Sequence, residues 1–406
     1  MWDVAIVGGG LAGLAASHGL RGWRSLLLEE GERLGGRVLT RCQAGIHYDL
    51  GAVFGYDPRC VPFQFPRPAL IREDEPIAIF HEGALHRGNS VVECLRRAVS
   101  ERPARWREIL AFLREERTAS QLSPEAYALL NGFFRLIHAG ELSDYGEDAQ
   151  RDVLHRFHPA HYVDGNGSLV QAFAERIDAS IRLRTRVLRV EEGADVVRLR
   201  VLKRGVERER TARYAIVATP ARVTQHIVVT WTLADRRLLE RVSYGAFTVV
   251  AIGLRGPFLE GLSYVATPSL PMNVLLKQHT RRPDVELLLA YYGERGTRRL
   301  RGKEDARIVQ QVLRGLRTVD PGFSRDREPL FTDVQHWSIG GTVLSRECLG
   351  DWRGGLVQVS PRIFLAGDYL DVGYPYGMIA ALHSGQRAAA RVSEALGARR
   401  QRRGRS

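Results

Sequence analysis

Glycines at positions 8, 10 and 13 follow the apolar run at 4–7 and open the alanine-rich segment 14–20. A G-x-G-x-x-G turn between a strand and a helix is suited to holding the pyrophosphate of a dinucleotide. Gly8 permits the tight turn, Gly10 lets backbone approach the phosphates, and Gly13 lets the helix pack close to the strand. The helix N-terminus adds unpaired N–H groups and a positive dipole end. A second apolar run, 25–28, ends at Glu29. That is about 20 residues past the turn, where a carboxylate takes a ribose hydroxyl; the plainer reading of Glu29 is a solvated charge at a strand end. On its own, the triplet of glycines serves NAD as readily as any other dinucleotide.

Further glycine-bearing stretches extend the pattern. Residues 31–37 read GERLGGR, in which Gly35 and Gly36 bring backbone near a phosphate and Arg37 supplies a guanidinium to pair with it. Residues 48–54 read YDLGAVF, where Gly51 and Ala52 allow close approach to a flat ligand. Near the far end, 362–368 (RIFLAGD) is a strand closing on Gly367 and Asp368, and Met378 and Ile379 stand at the start of an alanine-rich helix. A second strand–glycine–helix unit grips the far end of a large dinucleotide.

The intervening elements must hold these stretches together. Residues 76–87 read as a hairpin turning at Glu82 and Gly83. Residues 91–117 have helical spacing and are divided at Pro103. Ser123 and Pro124 cap and open a helix to about 138. A glycine turn at 163–169 enters a helix over 169–177, followed by strands at 181–190, 196–202 and 211–218. The run 214–220 reads as a buried strand returning to the nucleotide sheet. Apolar runs at 248–254, 273–277 and 286–292 and a helix over 305–316 form the floor of a substrate domain. The expected fold class is α/β, a Rossmann-type dinucleotide-binding domain (1–57, 166–235 and 346–398) with a mixed-sheet plus helical substrate domain (58–165 and 236–345). A basic tail at 399–406 is read as disordered.

Composition narrows the function classes. The chain has 406 residues, 44% of them hydrophobic, and no apolar run of membrane-spanning length. The net charge of +13 is almost wholly arginine, with lysines only at 203, 277 and 303. This usage fits a coding bias better than nucleic-acid binding, and no module with interleaved aromatics is present. Cys42, Cys60, Cys94 and Cys348 are scattered, and the first strand leaves no room for a leader. A cytoplasmic protein is expected. His155, His158 and His161 flank Pro159 and read as a loop rather than a metal site.

Taken in order, GxGxxG with Glu29, LGGR, DLGA, and FLAGD with its following helix resemble the FAD-dependent amine oxidase superfamily. That group includes monoamine oxidases, renalase-like proteins and protoporphyrinogen oxidase. The resemblance implies FAD, with Gly8, Gly10, Ala12 and Gly13 at the pyrophosphate and Glu29 on the adenosine ribose. It implies Gly36 and Arg37 near the pyrophosphate, Gly51 and Ala52 along the isoalloxazine, and the Val187 backbone at adenine. It places Gly367 and Asp368 on the ribitol side, Met378 or Ile379 at the pyrimidine edge, and Trp337 beside the flavin. The lysine that many members hold near flavin N5 is missing from 247–250 (FTVV), which leaves Lys277 as the candidate elsewhere in the domain. One position of the family's aromatic cage falls in 341–344 (GTVL), without an aromatic, and the other near Tyr376. No cysteine aligns convincingly with the flavin-attachment site, Cys348 being the nearest, so non-covalent FAD is implied.

The function expected is that of an FAD-dependent oxidoreductase moving a hydride from substrate carbon to flavin N5, with dioxygen or another acceptor reoxidising the flavin. An amine or amino acid is the favoured substrate. The alternatives are a desaturase or dehydrogenase acting on C–C or ring bonds, and a flavin-binding partner protein of low turnover. The expected partners are otherwise limited to a second copy in a homodimer. No metal is expected.

Overall fold

A computed structural model describes residues 1–54, 70–72, 75–137, 140–146, 160–231, 233–324, 326–343, 358–370 and 377–403. Two sheets organise the chain. At the centre of the first, Trp2–Val7 runs parallel to Ser25–Leu28 on one side and to the second half of Val206–Val217 on the other. Ser180–Arg182 adds a parallel strand beyond Ser25–Leu28, and Ile363–Leu365 pairs in parallel with residues 215–217. The antiparallel strands Arg186–Glu192 and Val197–Lys203 extend the sheet through Val206–Val217, and Gln358–Ser360 pairs antiparallel with Ile363–Leu365.

The central strands are apolar throughout because both faces are covered. Val4 and Ile6 face the helices Leu11–Gly19 and Gly377–Arg403. Ala5 and Val7 face a second core that contains Val187, Ile227 and Tyr369. The first helix meets the last so closely that a Cβ on Gly385 would lie 2.1 Å from the Ala12 carbonyl oxygen.

The second sheet runs, in order, Phe331–Val343, Ser243–Arg255, Val285–Tyr292, Val274–His279, Tyr264–Ala266, Ile77–His81 and Ala84–Gly88. One face packs on the helices Val91–Ala98, Pro103–Leu113 and Pro124–Ile137, and the other on Asp305–Val319. This is the mixed α/β class expected from the sequence.

Several boundaries differ from expectation. The strand read over 181–190 is two strands, divided where Arg184 takes φ +51°. The helix read from 169 begins at Gly167, because the Asn166 and Gly167 N–H groups bond to Asp49 and Thr40. The start of the basic run, read as disordered tail, continues the last helix to Arg403. Alanine, glutamine and arginine are strong helix formers and Gly404 is the next breaker. Cys60, His155, His158, Cys348 and Tyr376 lie outside the described residues.

The contact between the first and last helices generates a stability test. Gly385→Ala is expected to lower the unfolding free energy by about 1–3 kcal/mol through overpacking. At Gly397 an added Cβ meets nothing within 4 Å, so Gly397→Ala is expected to raise it by about 0.5–1 kcal/mol. Denaturant unfolding of both variants checks this, and equal shifts would contradict the contact.

Candidate active site

The glycine loop has three glycines with three different reasons. Gly8 sits at φ +103°, and a Cβ there would be 2.7 Å from the Ala218 carbonyl oxygen. A Cβ on Gly13 would be 1.9 Å from the Gly8 carbonyl oxygen, so this glycine permits helix–strand contact. Gly10 is different. Its backbone is extended (φ −73°, ψ −179°), a conformation any residue adopts, and an added Cβ would meet no protein atom nearer than Gly36 Cα at 4.0 Å. Gly10 instead lines a cavity of about 750 Å³. The space a side chain would fill at this helix N-terminus fits a phosphate-bearing ligand.

Glu29 lies at the same end of the cavity. Its carboxylate accepts hydrogen bonds from Gly9 N at 2.6 Å and Gly31 N at 2.8 Å. Those bonds order the loop and leave lone pairs for a hydroxyl. Arg33, not anticipated from sequence, locks the next turn by donating to the carbonyls of Leu34, Val38 and Gly36 at 3.0, 2.6 and 2.7 Å. This holds Gly36 and Arg37 against the cavity.

Arg37 joins the chain's two ends. Its Nη2 is 2.6 Å from Asp368 Oδ1, and its Nη1 donates to the Gly340 carbonyl at 2.9 Å. Thr342 donates to the other Asp368 oxygen at 2.6 Å. Burial alone would lower the Arg37 pKa, but the charge and hydrogen bond of Asp368 outweigh it and the pKa is raised.

Between these groups runs a backbone ledge. The Leu50 carbonyl accepts from Trp337 Nε1 at 2.6 Å, the Gly51 carbonyl from the Tyr291 hydroxyl at 3.4 Å, and the Ala52 carbonyl from Asn166 Nδ2 at 2.5 Å. Gly51 is forced by crowding, since a Cβ there would stand 2.1 Å from the Arg37 carbonyl oxygen. Strand register explains the donors from the second sheet. Phe247 lies opposite Trp337, and Val249, on the same face as Phe247, lies opposite Tyr291. The Phe247 ring centroid is 6.2 Å from that of Tyr291 and 6.3 Å from that of Trp337, so the three form an aromatic wall along the cavity.

Of the residues expected at the site, Gly8, Gly10, Ala12, Glu29, Gly36, Arg37, Gly51, Ala52, Val187, Trp337, Gly367, Asp368 and Met378 line this one cavity. Gly13 lies beneath it. Ile379 is not among the lining residues and packs against the first sheet's core. Lys277 is not brought to the cavity either. Its side chain is 3% exposed and its Nζ is 2.8 Å from Glu75. The second-sheet strand holding Lys277 is two strands away from the one carrying Trp337's partner Phe247. Phe247, Tyr291, Asn166, Thr342 and Arg135 are contributors the sequence reading missed. Residues 247–254 and 285–292 are near-continuous apolar runs without alternation, so only the pairing register brings Phe247, Tyr291 and Trp337 together.

Beneath the ledge, Asp49 is fully buried. Its oxygens accept from Asn166 N at 3.0 Å each and from the Thr40 hydroxyl. Burial pushes its carboxyl up to about 7, against the downward pull of the Thr40 and Asn166 hydrogen bonds and the charge of His161.

The comparisons with known proteins give the family and the fold. The flavin-containing amine oxidoreductase family matches residues 96–393, and an NAD(P)-binding Rossmann-like domain matches residues 6–56. The first match covers more than half of the chain, so the chain belongs to the flavin-containing amine oxidoreductases, a family of oxidoreductase enzymes. The nicotine dehydrogenase of Pseudomonas putida is 47% identical over 55 residues, which are 13% of this chain and 11% of that protein. In fold, the chain is similar to the cyclohexylamine oxidase of Brevibacterium oxydans, with TM-score 0.75, 18% identity, and 98% and 99% of the two chains covered. A putrescine oxidase bound to putrescine gives TM-score 0.76 at 17% identity, covering 97% and 99%. A protein assigned as a protoporphyrinogen oxidase from Exiguobacterium gives 0.70 at 19%, covering 96% and 98%.

Two tests follow. Gly10→Val fits the backbone but fills the phosphate space, so it is expected to fold normally and lose flavin. Circular dichroism with flavin absorbance per chain checks this, and a fully yellow variant would refute the loop assignment. For Asp49, the folded pKa of about 7 exceeds the unfolded value of about 4. The stabilisation from the bound proton is complete below about pH 4 and is lost as pH rises to 7, by up to about 1.4 kcal/mol per pH unit. Asp49→Asn should therefore gain melting temperature relative to the parent between pH 5 and 8. A constant difference across that range would refute the assignment.

Proposed function

We propose that this chain binds FAD non-covalently and oxidises the C–N bond of a small-molecule amine, with dioxygen or another acceptor taking the electrons. One observation carries the reading: a single cavity runs from the Gly8–Gly10 loop, past the Arg37–Asp368 pair and the 50–52 ledge, to the aromatic wall of Phe247, Tyr291 and Trp337. A dinucleotide with a flat redox-active ring fits that order.

The residues divide the work. The Gly10 loop and helix N-terminus take the pyrophosphate, and Glu29 takes a ribose hydroxyl. Backbone at Val187 meets the adenine. Asp368, Gly367 and the Met378 N–H serve the ribitol and pyrimidine side, where a helix N-terminus stabilises negative charge. Gly51 and Ala52 let the ring lie close to backbone. When bound, the flavin accepts a hydride at N5 and passes the electron pair on. Trp337, held by its indole N–H, and Phe247 form an apolar wall that orients the amine and excludes water. Loss of a hydride from carbon and a proton from nitrogen leaves an imine.

Of the two described cysteines, neither Cys42, which is exposed, nor Cys94, which is buried with its thiol pushed up to about 12, lines the cavity. A cytoplasmic setting is part of the proposal. Among the described residues no helix is long and apolar enough to cross a membrane. The discontinuous domain division and a cage role for Tyr376 remain part of the proposal. Lys277, committed to Glu75, is given no role at the flavin.

Anaerobic mixing with an amine panel tests the reading. At least one amine is expected to bleach the flavin band at about 450 nm. A yellow protein bleached by no amine, but by a ring or polyene substrate, would replace amine oxidation with C–C dehydrogenation. Bleaching by nothing would favour a low-turnover flavin-binding protein.

A further inference from the structure

We infer that Asp49 is a redox-linked proton site, which takes one proton from water when the ring on the 50–52 ledge is reduced and returns it on reoxidation. The inference rests on the reading that seats a flavin ring on that ledge, and not on which substrate is oxidised.

The acid and the ledge are built together. Asp49 directly precedes Leu50, Gly51 and Ala52 and is fully buried. Asn166, also fully buried, spans from one to the other. Its backbone N–H donates to both Asp49 oxygens at 3.0 Å, and its Nδ2 donates to the Ala52 carbonyl at 2.5 Å. Gly165 carries its turn past the acid at φ +73°, where a Cβ would stand 2.9 Å from Asp49 Oδ1. The carboxyl therefore lies one residue behind the backbone that meets the ring. A unit charge in so dry a place is poorly screened.

What faces Asp49 leaves it free to change state. The Thr40 hydroxyl, on the strand Thr40–Gln43, donates to it and accepts from Gly167 N at 2.7 Å. His161, on Ala160–Tyr162 and 4% exposed, acts on it by charge. Tyr291, on Val285–Tyr292, has its phenol pushed up by burial and by the Asp49 charge, and its hydroxyl donates to the Gly51 carbonyl at 3.4 Å. Among the described residues no guanidinium or ammonium pairs with Asp49. Burial opposes the anion while the donors support it, so the carboxyl stands at about 7. New negative charge on the ledge then draws a proton to it. Asp368, locked by Arg37, could not respond in this way. Thr40 is only half-buried, and its hydroxyl gives the proton a route from water. The balance is closed. Two electrons and one proton pass from substrate carbon to the ring and leave it one negative charge. The proton on Asp49 comes from water, and both changes are undone when the acceptor removes the electrons.

The test reads potential rather than turnover. The flavin-loaded protein is reduced with xanthine and xanthine oxidase beside reference dyes, from about pH 5 to about pH 9, so no amine is needed. Asp49→Asn keeps an acceptor for the Asn166 N–H and cannot ionise. It is expected to match the parent at the acid end. At the alkaline end it should favour reduced over oxidised flavin about tenfold more than the parent does, a gap of about 30 mV for a two-electron couple. Thr40→Val removes a hydrogen bond that favours the anion, so the bend in the parent's profile should move to higher pH. Infrared difference spectra, reduced minus oxidised at about pH 8, are expected to gain a carboxylic acid band in the parent and none in Asp49→Asn. A gap of equal size at every pH, or an acid band that persists in Asp49→Asn, overturns the inference whatever amines are oxidised. If Asp49→Asn holds no flavin, an unmoved bend in Thr40→Val overturns it. Asn166→Ala frees the Ala52 carbonyl and is expected to shift the flavin absorbance bands. An unshifted spectrum removes the ledge reading and the inference with it, whereas a shifted spectrum with a constant gap faults the proton link alone. A bend abolished by Asp49→Asn in a protein that no amine reduces upholds the inference and overturns the amine reading instead.

Discussion

The ion pair between Arg37 and Asp368 is the constraint around which the cavity is built. Its partners are 331 residues apart, and Asp368 is 4% exposed. A charge so placed costs several kcal/mol if it loses its counterpart. The first glycine-rich turn and the exit of the last sheet strand therefore have one relative position in which both are satisfied. The backbone around the pair is correspondingly spare. Gly36 takes φ +56° with Gly10 close by, and a Cβ on Gly367 would stand 2.4 Å from the Tyr369 ring. The glycines here make room for the Gly10 backbone and the Tyr369 ring, which flank the pair.

The same pair ties the two sheets together. Arg37 bonds to the Gly340 carbonyl and Thr342 bonds to Asp368, and both belong to the edge strand of the second sheet. Trp337 and Tyr291 of that sheet reach the other way, to the Leu50 and Gly51 carbonyls. The surface on which a cofactor ring would lie is thus fixed by donors from the part of the chain that shapes the substrate end. A change in the second sheet reaches the ledge through a hydrogen bond rather than through diffuse packing. Trp337 consequently has two faces: its ring forms the wall and its N–H positions the ledge.

What the sequence made legible follows from how local each signal is. The Gly8–Gly13 turn, Glu29, the Gly36–Arg37 pair and the Gly367–Asp368 strand end are each specified within a few residues, and the structure brings them to one cavity. The hairpin at Glu82–Gly83 was equally readable, since both residues take positive φ. The aromatic wall was not readable, because Phe247, Tyr291 and Trp337 meet only through the register of three strands distant in sequence. Lys277 misled for the same reason. Its type suggested chemistry, but its strand position commits it to Glu75. Arg33 and Arg135 were hidden by the abundance of arginine, where only geometry separates a loop lock or a cavity cation from a solvated side chain.

The cavity also sorts charge by position. At the dinucleotide end every charge that faces it, apart from the exposed Glu30, is already balanced by the protein: Glu29 by backbone N–H groups, Arg37 by Asp368. A cofactor bound there meets oriented dipoles and hydrogen bonds rather than a net field, which suits a ligand whose own charge changes during a redox cycle. Dipoles fixed by the fold need not reorganise as that charge appears.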